Sequence, residues 1–125
     1  VINSPLQKYQ QNQVQTSPAQ LLLMLYDGAI RFVKSGIAAI EESNFEKTNT
    51  NLCKGQAVIH ELIAALNYDY PVAKTLYSVY EYMIHCLIQA NLKKDVKPAK
   101  EALSYLTELR EAWEVASKSV NGTAN

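Results

Sequence analysis

From Leu21 to Trp113 apolar residues return every three or four positions, and nowhere does a β-branched run alternate with polar residues for the length of a strand. That spacing is the period of a helix buried along one side, so the chain has nothing from which to build a sheet. The pattern breaks at Ser43-Asn44, at Asn67 to Pro71 and at Asp95 to Pro98. These breaks predict helices over about Pro18 to Glu42, from Ser43-Asn44 to Asn67, from Val72 to Leu92, and from Asp95 or Lys97 onward. Helices of about 20 to 25 residues on short turns make antiparallel neighbours, hence an all-α, up-down four-helix bundle.

The first helix is the most informative. Leu21, Leu22, Leu25, Phe32, Val33, Ile37 and Ile40 project to one side, and Leu23, Tyr26 and Ile30 widen that face. Asp27, Arg31, Lys34, Glu41 and Glu42 gather opposite. The apolar arc covers about 200°, roughly twice the stripe of a surface helix. Either neighbours flank this helix on two sides, or part of the face awaits a partner. Leaving Leu23, Tyr26 and Ile30 bare would forgo roughly 5–8 kcal/mol of gross burial. Gly28 and Gly36 each cost about 1 kcal/mol of helix propensity, which close helix approach would offset. Ser43 with Glu46 three residues on reads as a capping box for the second helix.

Residues 1–16 differ from the rest. Five of the nine residues from Gln7 to Gln15 are Gln, and only Tyr9 and Val14 are apolar anchors there. The expected organisation is an N-terminal arm or short extra helix over 1–16, a helical bundle over 17–119 and a frayed tail over 120–125.

Twelve basic residues balance twelve acidic ones, which argues against nucleic acid as a partner. No apolar run approaches the length of a membrane span, and the N-terminus carries no basic stretch leading into an apolar one. Direct membrane insertion is therefore not expected. Two cysteines, Cys53 and Cys86, are few for a disulfide scaffold and suit a reducing, cytoplasmic setting.

Signals for catalysis are weak. Neither His60 nor His85 has a Glu three residues before it, as a di-iron bundle would require. Cys53 and His60 share a helix face but lie two turns apart, about 10.5 Å by helix rise. There is no Gly-rich nucleotide loop and no Gly-x-Ser-x-Gly elbow. No metal, cofactor or enzymatic activity is expected. Eight tyrosines against two phenylalanines is the compositional oddity. A tyrosine keeps one end wet, which suits boundaries and binding grooves. Tyr77 and Tyr80 on the third helix and Tyr26 on the first therefore join the wide apolar arc as candidates for a protein-binding surface.

The run Tyr9-Gln10-Gln11-Asn12-Gln13-Val14-Gln15-Thr16, followed by Ser17-Pro18 and by Leu21-Leu22-Leu23-Met24-Leu25-Tyr26-Asp27-Gly28-Ala29-Ile30, resembles the opening of the bacterial flagellar export chaperone family FliS. Lys54-Gly55-Gln56-Ala57-Val58-Ile59, Tyr80-Glu81-Tyr82-Met83, Ala90-Asn91 and Leu109-Arg110-Glu111-Ala112-Trp113 follow in the family's order. The turn Asn67-Tyr68-Asp69-Tyr70-Pro71 departs from it, because the family usually has an acidic, Gly-containing stretch there. The resemblance implies a cytoplasmic holdase that binds the C-terminal segment of flagellin, prevents premature polymerisation or aggregation, and supports delivery to the flagellar export gate. It also implies that the N-terminal arm covers part of the apolar surface until the client displaces it. The expected partner-binding residues are Tyr9, Val14, Leu23, Tyr26, Asp27, Ile30, Tyr77 and Tyr80, with Asp27 fixing register and Trp113 in the core. A self-associating bundle, a homodimer when free of client, is the alternative that would cover the same arcs.

Overall fold

The computed structural model describes residues 18–124, all of it helix or short connection. Four helices follow in order: α1 Pro18–Glu41, α2 Phe45–Ala64, α3 Val72–Lys93 and α4 Val96–Ala124. Each packs on two others, α1 on α2 and α4, and α3 on α2 and α4, so the helices stand in a closed square. Cross-helix pairs fix their directions. Tyr26 meets Trp113 and Asp27 meets Arg110, so residue numbers rise along α1 as they fall along α4. This is the antiparallel up-down bundle that the periodicity predicts.

The wide arc of α1 is thereby explained. Of its two flanks, one faces α2 and the other faces α4, while Leu25, Ala29 and Val33 between them are fully buried. The centre is filled by Leu52, Ile59 and Leu62 of α2, Met83 and Leu87 of α3, and Leu106 of α4. Close-packed interiors of this kind respond to single methylene changes.

Two glycines behave differently. A Cβ on Gly36 would sit 2.4 Å from Leu52 Cδ2 and 2.8 Å from Leu52 Cγ, so α1 and α2 approach as closely there as the sequence suggested. Gly28 has no neighbour within 4 Å of an added Cβ, so close packing is not its reason.

The turn into α2 corrects the expected capping box. Asn44, not Ser43, is the N-cap, its Oδ1 accepting from the Lys47 N–H at 3.2 Å. Ser43 instead closes α1 with φ 57°, its N–H reaching Ile40 O at 3.0 Å while Asn44 N–H reaches Ala39 O at 2.9 Å. That pair of bonds is a Schellman ending, in which the left-handed residue normally belongs to glycine. The short α3–α4 connection uses the same device: Lys94 has φ 50°, and Asp95 N–H returns to Ala90 O at 3.1 Å. At the far terminus α4 continues to Ala124, beyond the point at which the sequence suggested fraying.

Candidate functional site

At one end of the bundle α1 and α3 begin while α2 and α4 finish, and a groove of about 380 Å³ opens between them. Leu62 of α2 and Leu66 just beyond its end form one wall, Val72, Leu76 and Tyr80 of α3 another, and Leu22 of α1 and Trp113 of α4 close it. Tyr70, from the connection between α2 and α3, stands at its edge. The local cause is the long Ala65–Pro71 connection, which separates the ends of α2 and α3 and of whose side chains only Leu66 packs against the core. Tyr68, Tyr70 and Val72 remain 58%, 62% and 53% exposed, a concentration of wet aromatic and apolar surface that a solvated turn does not need.

Three polar aromatic groups meet at this end. The indole Nε1 of Trp113 donates to the Tyr26 hydroxyl at 3.1 Å, and the hydroxyls of Tyr26 and Tyr80 are hydrogen-bonded to each other. Their rings lie 6.4 Å apart, tilted by 50°. Burial pushes both phenol pKa values above the ordinary 10.0, because an ionised phenolate would lose its water. For Tyr80, the Tyr26 hydroxyl alongside raises it further.

Beside this cluster Arg110 Nε donates to Asp27 Oδ1 at 2.8 Å, and Arg110 also pairs with Glu114 one turn on. Lys118 Nζ reaches Glu114 Oε1 at 3.1 Å. The bond to Asp27 holds the guanidinium pKa up, and Lys118 leads in holding the Glu114 carboxylate pKa down. Among the described residues no three His, Cys, Asp or Glu side chains come close enough to hold a metal ion, and no helix is long and apolar enough to cross a membrane.

The residues singled out from the sequence divide three ways. Tyr9 and Val14 lie outside the described residues. Tyr26 and Tyr80, expected at a wet boundary, are 0% and 1% exposed, because each is the other's hydrogen-bond partner across the bundle. Asp27 is exposed and paired with Arg110 within the chain. Leu23 and Ile30 are half-buried on α1, and Ile30 packs against the core. Tyr77 is 37% exposed on α3. Of the six that are described, only Tyr80 lines the groove. Trp113, expected in the core, is half-buried in the groove wall.

The sequence matches the family model described as Flagellar protein FliS over residues 2–120. The chain belongs to the FliS family. Among similar proteins is the flagellar secretion chaperone FliS of Bacillus subtilis (strain 168), 40% identical over 94% of this chain and 90% of that protein. The proteins of the same name from Salmonella typhimurium and Campylobacter jejuni are each 33% identical, covering 81% and 84% of this chain and 77% and 84% of their own lengths. The sequence places Leu22 on the apolar face of α1, Val72 at the start of α3 and Tyr70 in a turn, and does not show that they border a groove. The available signal was the Tyr68–Val72 stretch, where two tyrosines in the connection are followed by a valine at the start of α3.

Proposed function

We propose that this protein is a flagellar secretion chaperone that acts in the cytoplasm by binding alone, holding the C-terminal segment of flagellin and presenting it to the export gate. The observation that carries this reading is the apolar groove at the α2–α3 end, walled by Leu66, Val72, Leu76 and Trp113 and edged by the exposed Tyr70. The family supplies the client; the groove supplies a place for it. An amphipathic segment that is unfolded when free can bury its apolar side chains there, at the cost of its own ordering. No covalent step or cofactor is needed. The client is protected by mass action, through removal of its free, aggregating form.

Residues 1–16 act as an arm that competes for the same surface, with Tyr9 and Val14 as its anchors. Pro18 begins α1 one turn before Leu22 of the groove. Such a competitor lowers the apparent affinity of every ligand for that surface by the same factor, so only a ligand of high intrinsic affinity displaces it at cellular concentration.

Calorimetry of the full chain with a flagellin C-terminal peptide tests this, with a Leu66→Asp, Val72→Asp variant as control. The expected result is one-to-one binding that the variant weakens at least a hundredfold while its helical circular dichroism is kept. Absence of binding by the wild-type chain would contradict the reading. A mass that doubles with concentration, together with no peptide binding, would assign the groove to a second copy.

A further inference from the structure

Trp113, Tyr26 and Tyr80 bring three hydrogen-bond donors together and only two oxygens to receive them. An indole N–H can only donate, whereas each phenol both donates and accepts. The two bonds present, Trp113 to Tyr26 and Tyr26 with Tyr80, therefore leave one hydroxyl proton without an acceptor among the described residues. Accepting a bond makes a hydroxyl a better donor, which favours the order Trp113 to Tyr26 to Tyr80. The opposite order would strand the spare proton on Tyr26, which is 0% exposed and does not line the groove. Tyr80 does line it.

We propose that the Tyr80 hydroxyl donates this spare proton to a neutral carbonyl oxygen of the segment seated in the groove, most simply a main-chain one. The proposal rests on the reading of the groove as the client site. A peptide entering an apolar groove brings carbonyl groups that lose water and need donors. Among the described residues the groove lining contains no Lys or Arg to balance a carboxylate, so the acceptor it suits is uncharged. Tyr80 thus sets the depth and register of the segment: a ligand that places only hydrocarbon against it leaves a buried donor unpaired, and one that places a carbonyl there does not.

Two variants separate this role from a structural one. Tyr80→Phe and Tyr26→Phe break the same tyrosine–tyrosine bond, but only Tyr80→Phe removes the donor at the groove. Calorimetry of the full chain with a flagellin C-terminal peptide is expected to show about tenfold weaker binding for Tyr80→Phe and a change within about twofold for Tyr26→Phe. In the wild-type chain, NMR is expected to show the Tyr80 hydroxyl proton exchanging more slowly once the peptide is bound. Unchanged affinity in Tyr80→Phe, equal losses in the two variants, or unchanged hydroxyl exchange would each overturn the proposal while leaving the client reading intact. Failure of the wild-type chain to bind the peptide would overturn both.

Discussion

The two ends of the bundle are finished in opposite ways. At the end where α1 turns into α2 and α3 into α4, the connections are short, both preceding helices end on a left-handed residue, and Gly36 lets α1 press against Leu52. Polar side chains lace that end together. Thr48, fully buried, bonds Asn44 O at 3.0 Å, and Asn91 Nδ2 reaches across to Asn49 Oδ1 at 2.7 Å while Lys94 Nζ meets Asn91 Oδ1 at 2.6 Å. At the other end the longer α2–α3 connection keeps helix ends apart, and apolar side chains line an open groove. Closed packing secures the fold at one end, while at the other the described residues leave an apolar groove. Stability and binding should therefore respond to substitutions at different ends.

The largest expected effect is on binding. Leu66→Asp with Val72→Asp should weaken a flagellin C-terminal peptide at least a hundredfold, whereas Phe45→Asp with Leu92→Asp, at exposed apolar positions near the closed end, should leave affinity within about twofold. Calorimetry on both pairs would break the comparison if the closed-end pair lost as much. Next comes Gly36→Ala. The new Cβ would overlap Leu52, itself fully buried, and the strain should exceed the gain in helix propensity, for a net loss of about 1–2 kcal/mol in urea unfolding.

Gly28→Ala sharpens the contrast from the other side. With nothing within 4 Å of its Cβ, it should stabilise the chain by about 1 kcal/mol in the same urea assay. Smaller still, Ser43→Gly should add about 0.5 kcal/mol in thermal unfolding, since glycine takes φ 57° without the Cβ conflict but loses more freedom on folding.

The buried tyrosine pair adds a pH dependence. Both folded-state pKa values are raised above 10.0, so the stability tied to the neutral phenols is complete below pH 10 and is lost as pH rises beyond it, where the unfolded chain releases protons that the folded chain retains. Urea midpoints should thus decline above pH 10. The decline should be shallower in Tyr26→Phe, and an equal slope would place the effect in other residues.

The order and faces of the helices were legible in the sequence, because a 3.6-residue period records which side of each helix is buried. The end structures were harder to read. Ser43 looks like an N-cap for α2 because Glu46 follows it, yet it serves as the C-terminal residue of α1, a role in which serine leaves no compositional mark. Tyr26 and Tyr80 look like boundary residues because a phenol needs a polar partner, and the partner is a second phenol 54 positions away. Asp27 is similar: its charge is plain in the sequence, but its engagement by Arg110, 83 positions on, is not. The groove escaped notice because Leu22 and Leu76 obey the core period, and only packing decides that one side of each also borders an opening. Tyr9 and Val14, legible as anchors by composition, fall outside the described residues.

The most direct test of an open end serving a closed one is amide chemical-shift mapping of the full chain titrated with a flagellin C-terminal peptide. The account predicts the largest shifts at Leu22, Leu66, Val72 and the Trp113 indole, with Ser43, Asn49 and Lys94 scarcely moved. Shifts concentrated at the closed end, with the groove residues unperturbed, would contradict it.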